Sequence, residues 1–405
     1  MERTIFHVDV NSAFLSWEAT YRLKHLSETV DLRTIPSAVG GDLNKRHGIV
    51  LAKSIPAKKY GVTTGEPIVR ALEKCPQLLI VPPNHALYEK SSKAFIEILK
   101  KYSPDVEQYS IDEAFLDMTG MEKLFGPPIV AANTIKDEIY NTLGFTVNIG
   151  ISTNKLLAKM ASDFTKPNRV HTLFPEEIRE KMWPLPIREL LFVGHATESK
   201  LLNLGIKTIG QLALTDPDIL VSHLKKQGEA IWNFANGRDV SLIENNEPAA
   251  KGYGNSTTIA FDVTDISQAQ PILMTLAESV GRRLRKDNVR AGVVALSIRY
   301  FDLSFESHQK TLRSSTNITN ELYQAACQLL EECWDFVTPI RLLGIQATKL
   351  TESTERQLSL FDTCDFEKQE KVDDAVDKIR EKFGLGSIVR GSLLQPPGKN
   401  SNKNN

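Results

Sequence analysis

The sequence predicts a multidomain α+β chain in which two mixed layers flank an all-helical stretch. Three observations carry this expectation. Short apolar strands ending in acid occur at 4–10 and 109–117, and helical periodicity at about 13–25, 86–102 and 129–143 places helices beside them, in a layer built from 1–30 and 81–173. A second set of strands, from Asn255, at 293–301 and at 341–350, alternates with helices at about 268–287 and 316–335, giving a β-α-β-β-α-β order over 253–350. Between the two layers, 174–238 reads as helical. Two helices on one face of a mainly antiparallel sheet make the ferredoxin-like arrangement, which is expected of both layers.

The stretch at 109–117, Tyr-Ser-Ile-Asp-Glu-Ala-Phe-Leu-Asp, organises the first layer. As a strand it turns Ile111, Glu113, Phe115 and Asp117 to one face and Ser110, Asp112, Ala114 and Leu116 to the other. Apolar groups flank Asp112 and Glu113 on both faces, so the adjacent acids repel each other and lose hydration. A divalent cation is the usual compensation, the plain alternative being a strand end whose acids face water. Residues 4–10 deliver another acid, Asp9. If the two strands meet in one sheet, three carboxylates converge on a hard-cation site. Mg²⁺ suits it, because this ion keeps waters and takes its remaining ligands from substrate phosphates, as two-metal phosphoryl transfer requires.

Four motifs then occur in order: Val-Asp-Val-Asn-Ser-Ala-Phe at 8–14, Ser-Ile-Asp-Glu-Ala at 110–114, Gly-Ile-Ser-Thr-Asn-Lys at 150–155 and Lys-Pro-Asn at 166–168. Together they closely resemble the Y-family translesion DNA polymerases, in the DNA polymerase IV branch, over residues 1 to about 350 and the tail. The resemblance implies a right-hand polymerase. Its parts are a ferredoxin-like palm (1–30 and 81–173), small fingers (31–80), a helical thumb with a helix–hairpin–helix (174–238), a linker (239–252), an α+β little finger (253–350) and a tail (351–405). It implies that Asp9, Asp112 and Glu113 bind two Mg²⁺ ions, with the Val10 carbonyl as a further ligand. It makes Phe14 a steric gate packed under the incoming sugar, where its ring leaves no room for a 2′-hydroxyl; taken alone, Phe14 reads as a core residue of its helix. Lys166 is implied to reach the triphosphate.

In the fingers, 37–42 and 48–53 read as strands joined by a basic loop at Asn44–His47, followed by a short helix from Ile55 to Tyr60 that Gly61 stops. The family's Tyr-x-x-Arg pair stands here as Ile55 and Lys58. Lysine keeps the charge without the bidentate fork, and isoleucine has no hydroxyl for phosphate, so weaker nucleotide binding is expected. A strand at Phe145–Ser152 leads into a helix from Asn154 to Phe164, which Ser152 can cap. Lys155 and Lys159 read equally well as solvated or as functional. Arg169 follows Lys-Pro-Asn where the family has glycine.

In the thumb, Leu190 to Thr197 joins two helices, the second ended by Gly205 and Ile206. Gly194 would let backbone N–H groups approach a DNA phosphate, and His195 replaces the hairpin's usual second small residue. Arg282, Arg283 and Arg285, with Lys286, end the first helix of the little finger. They are candidate DNA contacts, although basic groups also suit a helix C-terminus. In the tail, Gln357, Leu358, Leu360 and Phe361 of Gln-Leu-Ser-Leu-Phe resemble a sliding-clamp-binding peptide. Residues 366–383 form a charged amphipathic helix, and 395–405 lack a core-forming pattern.

The 405 residues allow two to four domains, and 41% apolar with 24% charged residues is ordinary for a globular chain. No apolar run of about 18 residues predicts a membrane span, and no signal-peptide pattern is present. Cys75, Cys327, Cys333 and Cys364 show neither metal-ligand spacing nor a disulfide framework, which fits a reducing cytoplasm, and the chain is expected to act as a monomer. The net charge of −1 implies that DNA would be gripped by local basic patches, with modest affinity. The reading is an error-prone, template-directed DNA polymerase acting on primer-template DNA and deoxynucleoside triphosphates in translesion synthesis, with no segment left for a proofreading exonuclease. Two alternatives stand beside it: another palm enzyme such as a nucleotide cyclase, and a non-catalytic DNA or clamp adaptor whose activity eroded at Ile55 and Lys58.

Overall fold

The computed structural model describes residues 3–26, 28–41, 48–245, 249–353 and 365–393; the basic loop at 44–47 and the clamp-type peptide at 357–361 lie outside them. The chain divides into one unit of Met1–Leu43 with Gly48–Glu247 and another of Asn44–His47 with Pro248–Asn405.

In the first unit, β1 (Ile5–Val10) is buried along its whole length and turns at Ser12 into α1 (Ala13–His25). Ser12 takes a left-handed conformation, φ 47°, and the Ser16 hydroxyl closes the turn on the Asn11 carbonyl at 2.6 Å. A small three-stranded sheet follows, of β2 (Ser37–Gly40), β3 (Val50–Lys53), α2 (Ile55–Lys59), α3 (Ile68–Lys74) and β4 (Leu79–Val81), in the order β3-β2-β4. It has its own apolar cluster, including Ala38, Val50, Ala57, Ile68 and Leu78. The α3 helix and the β4 strand, parallel to β2, were not expected. The α2 helix is capped by Ser54, and Gly61 follows it with φ 78°, as expected of a stop signal.

The larger layer continues with α4 (His85–Leu99), β5 (Val106–Gln108), β6 (Glu113–Asp117), α5 (Glu122–Phe125), α6 (Pro128–Leu143), β7 (Val147–Ser152), α7 (Lys155–Ser162) and β8 (Val170–Thr172). Its sheet runs β5-β6-β1-β7-β8, so the first four strands keep the ferredoxin-like order and β8 adds a parallel edge. Phe6, Val8 and Val10 share one core with Trp17, Phe95, Ile135 and Ile139 of α1, α4 and α6. The other face is also covered: Ile5 and Phe115 meet Ala158 of α7. Gly150 permits this, because a Cβ there would lie 1.9 Å from the Ala158 carbonyl oxygen. Asn154, not Ser152, caps α7, its side chain accepting from Leu157 N at 2.9 Å. The Ser152 hydroxyl is occupied elsewhere, donating to the Leu173 carbonyl.

Short helical turns and α8 (His195–Asn203), α9 (Ile209–Leu214), α10 (Pro217–Leu224) and α11 (Lys226–Ala235) surround Leu201, Leu212, Leu220 and Ile231. Residues 239–245, expected to be a linker, bind back instead. Asp239 accepts from Leu156 N at 3.1 Å, and Asn245 donates to Asp105 at 2.6 Å.

The second unit holds β9 (Gly252–Val263), α12 (Ile266–Lys286), β10 (Arg290–Tyr300), β11 (Phe305–Thr316), α13 (Thr319–Cys333), β12 (Ile340–Thr351) and α14 (Phe366–Phe383). The β-α-β-β-α-β order is present, but the strands run β11-β10-β12-β9, all antiparallel, which is not the ferredoxin-like order. Polarity accounts for the difference. Glu306, Ser307, His308, Gln309 and Lys310 make β11 unfit for the interior position that the ferredoxin-like order would give it, whereas Val294, Leu296 and Ile298 of β10 are buried.

The charged helix expected at 366–383 is α14, and it is fastened to its own unit. Arg285 reaches Asp377 at 2.7 Å and Asp373 at 3.3 Å, Arg290 reaches Glu370 at 2.7 Å, and Arg380 and Arg390 share Glu278. Asp373 also accepts from Thr319 N at 2.8 Å. The Arg285 and Asp373 side chains are only 6% and 7% exposed. Removing one member of a buried pair leaves the other uncompensated. Arg285→Ala is therefore expected to destabilise this unit by about 3–5 kcal/mol, read as a fall in its denaturation midpoint; an unchanged midpoint would show that the network contributes nothing.

Candidate active site

The register of β1 and β6 sets Asp9 directly opposite Glu113, and Val10 N donates to the Asp112 carbonyl at 3.0 Å. The three acids thus meet at neighbouring strand ends. They line one cleft of about 550 Å³ together with Val10, Phe14, Lys58 and Lys166. The strand itself begins at Glu113 rather than Tyr109. Tyr109 N and Ser110 N both donate to the Glu113 carbonyl, and the Ser110 hydroxyl donates to Asp112 Oδ1 at 2.7 Å. These local bonds compete with a ladder and make Asp112 the end of a turn.

Each acid is held through one oxygen. Asp9 Oδ2 accepts from Lys166 Nζ, Asp112 Oδ1 from Ser110, and Glu113 Oε2 from Lys159 Nζ at 2.8 Å. The second oxygen of each acid has no hydrogen bond among the described residues. Burial pushes the Asp9 carboxyl up to about 6 against the opposing pull of Lys166. Lys166 is also buried, but its carboxylate partners Asp9 and Asp163, the latter at 2.8 Å, outweigh burial and raise its pKa. The pair therefore shifts unequally, because Lys166 has two acids and Asp9 one base.

At Glu113, burial would raise the pKa, yet the partners hold it at about 2. Lys159 is the effective one. His7 Nε2 lies 3.7 Å away, too far for a hydrogen bond. The Ser162 hydroxyl donates to the Lys159 carbonyl, so His7 Nδ1–H donates to Ser162 at 2.8 Å and Nε2 is the unprotonated nitrogen. Burial favours this neutral form by lowering the pKa of His7.

Phe14 stacks on Tyr88, with centroids 4.7 Å apart and planes at 12°, and Trp17 and His85 also border its ring. The Lys166 turn is clamped by two buried asparagines that sequence reasoning missed. Asn11 Oδ1 accepts from Asn168 N at 2.9 Å, Asn148 Oδ1 accepts from Arg169 N at 3.2 Å, and Asn11 donates to Asn148. The available signal was Asn148 itself, a polar residue inside an otherwise apolar strand. Arg169 fits the turn because Asn168, with φ 58°, takes the left-handed position.

The remaining candidates divide. Lys58 and the half-exposed Ile55 line the cleft. Gly194 precedes α8 with φ −83°, open to any residue, and a Cβ there would meet nothing within 4 Å, so the fold itself does not demand glycine. Arg282 has no polar partner among the described residues. Arg283 donates to the Gly254 carbonyl and lies over Tyr253, and Arg285 is turned into the α14 network; neither is an open surface cation as expected. Lys155 is paired with Glu107 at 2.7 Å.

The cysteines' lack of metal-ligand spacing in the sequence does not keep Cys333 from polar company in the fold. Glu306, His308 and Cys333 bring ligand atoms within 4.8 Å of one another in the second unit. Spacing hid this, because β11 and the end of α13 meet only in the fold. Burial and Glu306 push the Cys333 thiol up to about 11, and Tyr300 occupies Glu306. No helix among the described residues is long and apolar enough to cross a membrane.

Comparison with known proteins agrees with this geometry. The impB/mucB/samB family matches residues 8–163, the C-terminal domain of that family matches 250–360, and the IMS family HHH motif matches 175–206. A DNA polymerase IV of Clostridium acetobutylicum is 45% identical over 98% of this chain and 100% of its own length. One of Acetivibrio thermocellus is 41% identical over 99% and 100%. A solved Y-family DNA polymerase chimera superimposes with a TM-score of 0.74 at 24% identity, covering 86% of this chain and all of that one. With its acids, aromatic ring and lysine turn in one cleft and likeness over its whole length, the chain belongs to the Y-family DNA polymerases, in the bacterial DNA polymerase IV branch.

Proposed function

We propose that this chain is a template-directed, low-fidelity DNA polymerase that extends primer 3′ ends in translesion synthesis. The convergence of Asp9, Asp112 and Glu113 in a cleft with Phe14 and Lys166 carries the reading. In it, 1–30 with 81–173 serve as palm, 31–80 as fingers, 174–238 as thumb and 253–350 as little finger. Gly194 and Arg282 face DNA phosphates, and 357–361 engages a sliding clamp.

The donor set suits a hard cation, since each acid offers an unbonded oxygen and Asp9 is a buried acid with one compensating base. Asp9, Asp112, Glu113 and the Val10 carbonyl would hold two Mg²⁺ ions. When bound, these ions supply the charge that favours the primer alkoxide and neutralises the triphosphate and leaving pyrophosphate. The chain's own residues do the positioning. Asn11 and Asn148 hold the Lys166 turn, and Lys166, once Asp9 has another cation, keeps only Asp163 as a carboxylate partner and can turn to phosphate. Phe14 closes the floor beneath the sugar. Proximity in the cleft supplies much of the acceleration.

Primer extension by the wild-type protein, with Mg²⁺ and all four deoxynucleotides on undamaged and abasic templates, tests the reading. Extension supports it; a protein that binds primer-template without extending it would be the adaptor instead.

The electrostatics predict a readout that needs no turnover. Asp9 has a folded-state pKa of about 6, above the ordinary 3.8, so its ionised form destabilises the fold above pH 6. That penalty is relieved as pH falls through 6 towards 3.8, and a cation on Asp9 relieves it as well. Mg²⁺ is therefore expected to stabilise the protein more at pH 7.5 than at pH 5, by about 1.4 kcal/mol for the one unit by which pH 5 lies below the Asp9 pKa, read as a larger rise in melting temperature. In Asp9→Asn this pH dependence should vanish; a wild-type Mg²⁺ shift equal at both pH values would sink it.

A further inference from the structure

The cleft contains a cation that the mechanism above leaves unused. Lys53 ends β3, a strand whose burial alternates, so that Leu51 and Lys53 share the less buried face and both line the cleft. Its ammonium donates to the Thr64 hydroxyl at 3.1 Å and has no carboxylate partner among the described residues. An acid that acts on it is taken, since Glu66 is paired with Lys74. Lys58, four residues after Ser54 and also on the cleft wall, has no ion pair either. The other two cations of the cleft are satisfied: Lys166 by Asp9 and Asp163, and Arg33 by Asp31. Burial and the neighbouring Lys58 charge lower the pKa of Lys53 against the opposing pull of Glu66, which is itself paired with Lys74.

Two ammonium groups without carboxylate partners line the same cleft as the three acids and Lys166, which leaves a place for a polyanion. Ile55 between them has no hydrogen-bonding group, and Lys58 has one compact charge rather than a fork. We propose that Lys53 binds the triphosphate of the incoming nucleotide beside Lys58, supplying the phosphate contact that Ile55 does not make. This rests on the polymerase reading and adds a specificity residue to it. A DNA backbone phosphate is the other source of the same chemistry, and the test separates the two.

Single-nucleotide insertion would be measured for wild type, Lys53→Ala, Lys53→Gln, Lys53→Arg and Thr64→Val. Primer-template affinity would be followed by anisotropy and pyrophosphate inhibition in parallel. Loss of Lys53 charge should raise the nucleotide KM about tenfold or more with kcat nearly unchanged, the pattern of lost ground-state and transition-state binding alike. Pyrophosphate should inhibit more weakly by a similar factor, and primer-template Kd should stay within about twofold. Lys53→Arg should retain binding, and Thr64→Val, which removes the hydroxyl that holds the ammonium, should raise the KM by less than loss of the charge does. Lys53→Gln keeps a donor for Thr64, so it separates charge from packing. A Lys53→Gln enzyme with wild-type KM overturns the inference. So does a weakened primer-template Kd at constant KM, which would assign Lys53 to DNA. A wild type that does not extend primers overturns the polymerase reading and this inference together, whereas in the other two outcomes the wild type is active.

Discussion

Asp112→Asn is expected to abolish primer extension while leaving the protein folded and primer-template binding intact. The substitution is close to isosteric. The Asp112 carbonyl still accepts from Val10 N, and the side-chain oxygen can still accept from Ser110. What disappears is one of three negative charges at the site proposed to hold divalent cations. Losing several kcal/mol of charge stabilisation in the transition state lowers the rate by about a thousandfold or more. A variant that retains a tenth of wild-type extension would remove Asp112 from the metal site. Asp9→Asn should behave alike in turnover. It should also remove one of the two carboxylates that hold the Lys166 ammonium, leaving Asp163, so its nucleotide affinity should fall less than its rate.

The second large effect concerns the choice of sugar. Phe14→Ala should raise the ratio of ribonucleotide to deoxynucleotide insertion by about ten- to a hundredfold, the size of a steric clash of 1–3 kcal/mol. A gate works only if it cannot yield. Phe14 is stacked on Tyr88 and bordered by Trp17 and His85, so a 2′-hydroxyl could be admitted only by disturbing an aromatic cluster that includes the fully buried Trp17 and Tyr88. Phe14→Tyr keeps the ring and should keep the discrimination. Parallel insertion assays with each nucleotide would decide the matter, and an alanine variant as selective as wild type would mean that Phe14 only fills the core.

What could be read before folding follows from the range over which each feature is determined. Asp9 and the Asp112–Glu113 pair stood out because acids in apolar runs are locally anomalous, and the pairing of Asp9 with Glu113 needed only that the strands meet. The place of Phe14 in the cleft was legible through family resemblance alone, since an aromatic on a buried helix is locally ordinary. The asparagine clamp was hidden because Asn11 meets Asn168 across 157 positions of chain. Arg285 misled for a similar reason: a basic helix end resembles an open DNA-facing patch until its acid partner arrives 88 residues later. The strand order of the second unit was readable in principle, because the polar run through Glu306 and Lys310 belongs on an edge; element order alone suggested otherwise. Short pieces such as α3 and β4 carry too little periodicity to be seen.

The fastening of α14 has a mechanical consequence. β12 and α14 both belong to the second unit, so the chain is fixed to the same body on either side of residues 354–364. A clamp that seized 357–361 would hold a handle rather than a string. Pull would be shared between a strand in the middle of a sheet and a helix riveted by arginines, and could not be discharged by peeling off one free end. A single cut within the handle would break the covalent chain yet leave both halves on the unit, to part only where the Arg285 and Glu278 contacts are dissolved.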